Sequence, residues 1–173
     1  MKVNKFLIVD GYNIINAWND LKEISKKDLQ HSREKLIDII VEYTSFTGRK
    51  GIVVFDAYNV KNSKEQIEKI NNVKIVYTKE HQTADSYIEG YMEKLSKYDD
   101  VKVATNDYAE QQIVLGKGAT RISSRELEAE IKRIKLKISE KNGKPKNKIE
   151  RNYLEHRLNS EVLSKLEKIR RSD

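Results

Sequence analysis

Acidic residues follow three apolar runs of this sequence. Asp10 ends the run FLIVD, Asp56 ends the run GIVVFD, and Asp107 comes shortly after the run VKVAT. If these runs are parallel strands of one sheet, their carboxyl ends lie along a single edge, which is where open α/β folds bind ligands. The three carboxylates are therefore candidates for one shared site.

Asp85 and Glu89 form a second acidic pair, near the start of a helix predicted over residues 83–95. A spacing of four residues puts both side chains on one helix face. The helix N-terminus itself favours negative charge. We expect this pair to reach the same edge of the sheet as the strand-end acids.

Carboxylates crowded at one edge repel each other and raise each other's pKa unless a cation neutralises them. The chain has no cysteine, and His31, His81 and His156 show no paired spacing. Oxygen ligands alone favour Mg²⁺ or Mn²⁺ over zinc. Such an ion can activate water and stabilise charge on a phosphoryl oxygen, so the pattern indicates phosphodiester hydrolysis.

Each acid also has an ordinary structural explanation. An aspartate at the end of a strand is commonly a turn residue or a helix cap, and Asp56 suits that interpretation best. Asp85 is explained as an acid in the first turn of a helix. Only the arrival of several acids in the order expected for one sheet edge favours a metal site.

Short apolar runs alternate with longer helical patterns, which predicts βα units on a mostly parallel sheet. The predicted strands cover residues 6–10, 51–56, 73–78, 101–105 and a short edge strand at 120–123. The predicted helices cover residues 29–46, 63–70, 83–95, the stretch after Asp107, and 123–138. In the second of these helices, Ser63 and Gln66 suit a capping box, and Ile67 and Ile70 are expected to face the core.

Positive charge is concentrated at the end of the chain. Lysine and arginine number 34 against 27 acids, yet residues 1–119 carry 18 of each sign. Between Lys132 and Arg151 there are nine basic residues and two acidic ones. This density suits salt-sensitive binding to an RNA backbone, although a solvated helix face has the same composition. Residues 139–173 are predicted to be a linker around Pro145 and a short helix from Ser160.

Several classes of protein are disfavoured. The early apolar run of about five residues is too short for a signal sequence or a membrane span. No glycine-rich nucleotide fingerprint or P-loop is present, so we expect no nucleotide cofactor. We expect a cytoplasmic protein with no membrane partner.

The motifs VDGYNII, VVFDAY, TADSYIE and ATNDYAEQ, in this order, resemble the NYN domain, a branch of the PIN-like nucleases, and specifically its YacP type. The similarity runs from about residue 3 to at least residue 127 and includes EYTSFTG and SSREL. It implies a PIN-like three-layer α/β sandwich over residues 1–138, with residues 139–173 as a basic helical extension. It also implies an endoribonuclease that uses Mg²⁺ or Mn²⁺. Its partners would be mRNA and the ribosome, both rRNA and ribosomal proteins, and it would cut translated mRNA near the decoding site.

The resemblance assigns roles to individual positions. Asp10 and Asp85 match the metal-binding core acids, Asp107 matches the acid after the fourth strand, and Asp56 and Glu89 would assist from the rim. Asn106 stands where related sequences often carry serine. The RNA-binding candidates are Asn13, Arg33, Arg121, Ser124 and Arg125.

These RNA-binding candidates have alternatives of their own. Asn13 could be a turn residue, and any one of the arginines could be a solvated surface residue. Ser124 and Arg125 stand at a predicted helix start, where free N–H groups face anions.

Two rival functions remain open from the sequence. One is a non-catalytic RNA-binding or ribosome-binding module on the same fold. The other is a flavodoxin-like phospho-acceptor domain, which also places aspartates at strand ends. The presence of an acid at every matched position argues against the first.

Overall fold

The computed structural model describes residues 3–57, 64–106 and 118–141. Within these ranges it has six strands and five helices. The strands are β1 (Lys5–Asp10), β2 (Lys50–Phe55), β3 (Gln66–Ile70), β4 (Val73–Tyr77), β5 (Asp100–Ala104) and β6 (Thr120–Ile122). The helices are α1 (Gly11–Ala17), α2 (Asn19–Ser25), α3 (Leu29–Thr47), α4 (Ala84–Met92) and α5 (Ser124–Lys141).

The six strands form one sheet in the order β3-β4-β2-β1-β5-β6. All neighbouring pairs are parallel except β3 and β4, which are antiparallel. The central strands are apolar throughout, as expected when a parallel sheet is buried on both faces. The prediction of a mostly parallel α/β sheet is confirmed, including the short edge strand β6.

Alternation along β1 divides the core into two layers. Leu7 and Val9 face a cluster formed with α1, α2, α3 and the first turns of α5. Phe6 and Ile8 face a second cluster, to which α4 contributes Ala84, Ile88 and Met92. Helices therefore cover both faces of the sheet, and the three-layer arrangement is confirmed.

The boundaries of α3 follow from its capping residues. The Asp28 carboxylate accepts a hydrogen bond from the backbone N–H of His31 at 3.0 Å, which satisfies one free donor at the helix start. Gly48 ends the helix with φ of 68°, a left-handed conformation that glycine adopts without steric cost. The predicted helix over 29–46 is confirmed.

Two short helices that we did not predict, α1 and α2, follow β1 directly. Ile14, Ile15, Trp18 and Leu21 are all buried against the sheet. Their spacing is helical, but the run is short and passes through a break at Trp18. The consequence for the site is that β1 continues into a helix at Asp10 without an intervening loop.

The prediction of a helix over residues 63–70 was wrong. Residues Gln66–Ile70 form β3, whose side chains are all exposed, and Ile67 and Ile70 are 50% and 42% accessible. Asn71 adopts a left-handed conformation with φ of 52°. It closes a two-residue turn that pairs Ile70 with Val73. The two isoleucines are not buried in the core, so their helical spacing does not stabilise a helix. Backbone hydrogen bonding to β4 therefore determines the structure of this segment.

Some predictions lie outside the described residues. These are the helix after Asp107, the linker around Pro145 and the helix from Ser160. The chain divides into two compact units, Met1–Ile134 and Lys135–Asp173. The boundary after residue 138, between a nuclease domain and a basic extension, stays a prediction. None of the helices in the described ranges has the length and apolar character needed to cross a membrane.

Candidate functional site

Strand register brings the ends of β1, β2 and β5 to one edge of the sheet. Asp10 pairs with Val54 of β2, and Val9 pairs with Ala104 of β5. Asp56 and Asn106 therefore each lie two residues beyond the last position of their strands that pairs with β1. The chain moves from β1 to β2 on one side and later to β5 on the other, which creates a crevice at the end of β1.

Asp10 caps a helix at this crevice and has a raised pKa. Its carboxylate accepts a hydrogen bond from the backbone N–H of Asn13 at 3.1 Å and so caps α1. Burial and, to a smaller extent, the charges of Asp85 and Asp56 raise the pKa of Asp10 to about 6, against backbone hydrogen bonds that lower it. The helix-cap interpretation therefore holds for this residue, and its raised pKa is compatible with a functional role that stays a prediction.

Asp85 approaches from the other layer of the fold. It lies in the first turn of α4, whose N-cap residue Thr83 accepts a hydrogen bond from the backbone N–H of Ser86 at 3.2 Å. Its side chain is half-buried and is close enough for its charge to raise the pKa of Asp10. Asp10 therefore lies within the electrostatic influence of both Asp85 and Asp56, and a shared metal site stays a prediction.

The position of Asp10 depends on a close approach between Gly11 and Phe55. A β-carbon placed on Gly11 would come within 2.4 Å of the Phe55 ring, so only glycine fits without displacing the ring. Phe55 is almost completely buried at the end of β2. Nothing in the local pattern around Gly11 predicts this contact.

Thr78 holds the segment that carries Asp56. Its hydroxyl accepts a hydrogen bond from the backbone N–H of Ala57 at 2.9 Å, and its own N–H donates to the Phe55 carbonyl at 3.0 Å. Thr78 is fully buried. The signal available in the sequence was a polar residue immediately after a buried strand.

Asn13 and Asn106 connect the ends of β1 and β5. The Asn13 side-chain oxygen accepts a hydrogen bond from the backbone N–H of Asn106 at 3.0 Å. The Asn106 side-chain amide donates to the Ser124 hydroxyl at 2.6 Å and its oxygen accepts from the Ser124 backbone at 3.0 Å. Trp18 adds a 2.9 Å hydrogen bond from its ring N–H to the Ser124 carbonyl. In this structure Asn13 and Ser124 therefore fix the loop that leads to Asp107.

The remaining RNA-binding candidates are three arginines whose side chains differ in solvent exposure. Arg121 and Arg125 are exposed on β6 and at the start of α5. That helix begins with a capping box in which Ser123 donates to the Glu126 carboxylate from its hydroxyl and its backbone. These hydrogen bonds lower the pKa of Glu126. Arg33 is half-buried on α3, beside Asp56.

The acidic edge is compatible with a hard divalent cation. Mg²⁺ keeps several waters and needs only one or two carboxylates from the protein, which matches Asp10 with Asp85 or Asp56 nearby. Among the described residues, no group of three or more acids, histidines or cysteines is close enough to hold an ion by itself. Glu89 is half-buried on α4 outside any such group, and Asp107 lies outside the described residues.

The fold and the site define an open α/β protein whose acids gather where β1, β2 and β5 end. Comparisons with known proteins identify one family within this class. The family described as YacP-like NYN domain matches residues 7–171. The chain belongs to this family.

Individual relatives come from Bacillus subtilis. The chain is 40% identical to "Uncharacterized protein YacP" of strain 168, over 96% of this chain and 97% of the relative. It is also similar to the crystal structure of Rae1 (YacP), with 38% identity, a TM-score of 0.69 and coverage of 100% of this chain and 97% of the other. A tryptophan-to-leucine mutant of Rae1 gives 39% identity and a TM-score of 0.69 over 79% and 80% of the two chains.

Proposed function

We propose that this protein is a metal-dependent endoribonuclease that cleaves mRNA on the ribosome. The observation that carries the proposal is the environment of Asp10. Its side chain is half-buried at the crevice, has a pKa raised to about 6, and feels the charges of Asp85 and Asp56. A strongly perturbed acid in a cleft is typical of a functional site, and membership of the NYN family supports nuclease chemistry.

In this proposal Asp10 and Asp85 hold Mg²⁺ or Mn²⁺, Asp107 completes the site, and Asp56 and Glu89 act from its rim. The bound ion would supply an activated water and stabilise the charge that develops on the phosphoryl oxygen. The protein fixes Asp10 through the α1 cap and the contact between Gly11 and Phe55. Hydrolysis of the phosphodiester would leave a 5′-phosphate and a 3′-hydroxyl.

The partner in this proposal is the ribosome, which would present the mRNA. Arg121 and Arg125 are exposed at the end of the sheet that carries β6 and the start of α5. The nine basic residues between Lys132 and Arg151 would add sequence-independent contacts to rRNA or mRNA phosphates. Binding through these residues should weaken steeply as salt rises.

A second candidate is a non-catalytic RNA-binding or ribosome-binding module. It is favoured by the lack of a three-ligand group among the described residues. The two candidates differ in one outcome, since a binding module tolerates loss of Asp10 and Asp85 charge without loss of function.

The experiment compares cleavage of a translated mRNA by wild type, Asp10→Asn and Asp85→Asn, with and without Mn²⁺. Asp38→Asn is the matched control, because Asp38 is an exposed acid on α3. The proposal predicts loss of cleavage in the first two variants and wild-type cleavage in the control. If both active-site variants stay folded, bind ribosomes and cut as fast as wild type, the binding module is the correct assignment.

A further inference from the structure

A pocket of about 360 Å³ opens beside Asp56, which follows β2. It is on the side of β2 that faces β4 and β3, away from β5. It lies between the helices α1 and α3 and the β3–β4 hairpin. Its volume is near the lower end of the range of about 300–1,000 Å³ typical of small-molecule sites. The residues that matter for its chemistry are Tyr12, Arg33, Asp56, Glu68 and Tyr77.

Aromatic rings form one wall of this pocket and are held in place from behind. Tyr12 packs edge-on against Phe55 with ring centroids 5.3 Å apart. Tyr77 stacks on Phe55 at 5.4 Å with an interplanar angle of 20°. Because Phe55 is buried, both tyrosine rings are backed by the core of the protein. A wall of this kind is preformed rather than assembled on binding.

Arg33 supplies a flat cationic surface next to these rings. One guanidinium nitrogen donates to the Tyr12 hydroxyl at 3.0 Å, and a second donates to the Gln30 side chain. The guanidinium carbon lies 5.7 Å from the centroid of the Tyr77 ring. These contacts hold the planar group in one orientation.

Arg33 is nevertheless incompletely satisfied. Its Nε is buried and has no hydrogen-bond partner. No ion pair joins Arg33 to any carboxylate in the described part of the chain. Because Nε is covered by protein, a ligand would meet Arg33 through the part of its side chain that lines the pocket.

The charges around the pocket select the kind of ligand. Among the described lining residues, Arg33 and Lys64 are balanced by Asp56 and Glu68, so this part of the lining does not favour an isolated phosphate. A neutral planar ring that accepts and donates hydrogen bonds suits it better. Unpaired nucleobases stack on aromatic side chains and on guanidinium planes and bond through their edges.

We propose that this pocket holds one unpaired nucleobase of the RNA substrate, next to the phosphate that is cut. The base stacks against the Arg33 guanidinium, which itself lies over the Tyr77 ring. Tyr12 lines the pocket and is two residues from Asp10 in the chain. Asp56 also lines the pocket, and its charge raises the pKa of Asp10. The base in the pocket and the phosphate that is cut would therefore belong to neighbouring nucleotides. The inference rests on the proposed function and adds a preference for the nucleotide beside the cut.

Photo-crosslinking tests the pocket without relying on activity. Asp10→Asn protein is bound to ribosomes that carry an mRNA substituted with 5-iodouridine, and the crosslinked peptides are identified by mass spectrometry. Crosslinks at Tyr77 or Tyr12 are expected. Adding Arg33→Ala or Arg33→Lys should lower their yield about five-fold or more, because stacking on the guanidinium plane is lost while the lysine keeps the charge.

Lys35→Ala is the matched control, since Lys35 is an exposed cation on the same helix. Crosslinks that map only outside the pocket, or an unchanged yield in both Arg33 variants, would overturn the inference. Failure of the proposed function looks different, because Asp10→Asn protein would then cut mRNA as wild type does.

Mapping of cleavage ends gives a second readout. Arg33→Lys in an otherwise wild-type protein should redistribute the nucleotides found beside the cut. Lys35→Ala, at the exposed control position on the same helix, should preserve the wild-type distribution. An identical distribution in Arg33→Lys and wild type would contradict a base-binding pocket even if total cleavage fell.

Discussion

Gly11 lies so close to Phe55 that an added β-carbon would come within 2.4 Å of the ring. This contact joins the end of β1 to the end of β2 at the point where Asp10 leaves the sheet. The same ring packs against Tyr12 and Tyr77. The position of the candidate metal ligand is therefore coupled to the wall of the proposed base pocket.

Replacing Gly11 with alanine should destabilise the protein. The extra methyl group must displace a buried ring, and overpacking of this kind costs about 1–3 kcal/mol. The free energy of unfolding measured by urea denaturation should fall by that amount. Mn²⁺ affinity should fall as well, because Asp10 moves with the backbone.

Gly90→Ala is the matched control for this change. Gly90 lies in α4 with nothing within 4 Å of an added β-carbon, and alanine is favoured over glycine inside a helix by about 0.5–1 kcal/mol. It should therefore leave stability unchanged or raise it. Equal effects of the two substitutions would argue against the steric role of Phe55.

Asp10→Asn should stabilise the metal-free protein at neutral pH. The pKa of Asp10 is raised from 3.8 to about 6 in the folded state, so ionisation favours the unfolded chain. Stability contributed by the protonated form is lost as pH rises from about 4 to 6. Asparagine removes the charge and still caps α1, so we expect a gain of about 1–3 kcal/mol at pH 7.5 and little gain at pH 4.

Thermal unfolding in EDTA at the two pH values measures this effect. Asp38→Asn serves as the control, since Asp38 is exposed, and should show no such pH-dependent gain. If Asp10→Asn is as stable as wild type at both pH values, burial of this carboxylate does not destabilise the fold.

Asn106→Ala should weaken the connection between β5 and α5. It removes two side-chain hydrogen bonds with Ser124, whose hydroxyl is buried and would lose its donor. Leaving such groups unpaired costs about 1–3 kcal/mol. Hydrogen exchange should accelerate in β6 and the first turn of α5. Asn16→Ala, at an exposed position of α1, should change neither the stability nor the hydrogen exchange of these segments.

Tyr43→Phe should reduce stability in a pH-dependent way. The Tyr43 hydroxyl donates to Glu130 at 2.7 Å, and Lys102 donates to the same carboxylate at 3.0 Å. Burial acts to raise the pKa of Glu130, but the hydrogen bonds from Tyr43 and Lys102 outweigh it and lower the pKa.

The stabilisation that Glu130 provides is therefore present at neutral pH and is lost as pH falls through its folded pKa. Urea denaturation should show a loss of about 1 kcal/mol at pH 7 and a smaller loss at pH 3. Tyr98→Phe, at an exposed tyrosine, should have no effect at either pH. A loss that is the same at both pH values would indicate packing rather than the carboxylate.

The sequence was sufficient to predict the parts of the fold that local patterns determine. Apolar runs ending in Asp10 and Asp56 predicted parallel strands, and the helical pattern over residues 29–46 predicted α3. The helical spacing of Ile67 and Ile70 was misleading, because both side chains are exposed on β3 and do not form the buried face of a helix.

The supports of the site could not be predicted, because they depend on contacts between distant residues. Trp18 meets Ser124 across 106 positions, and Asn13 meets Asn106 across 93. Thr78 holds the Asp56 segment across 21 positions. Only the folded sheet places these partners together, so the acids were predictable from the sequence and their positioning was not.

The most direct test of the central claim is the initial rate of mRNA cleavage on translating ribosomes as a function of Mn²⁺ concentration. Wild type should show a rate that rises and saturates with Mn²⁺. Asp10→Asn and Asp85→Asn should stay at background across the range while remaining folded and ribosome-bound. A saturating curve for either variant that matches wild type would contradict the account of an acidic metal site at the end of β1.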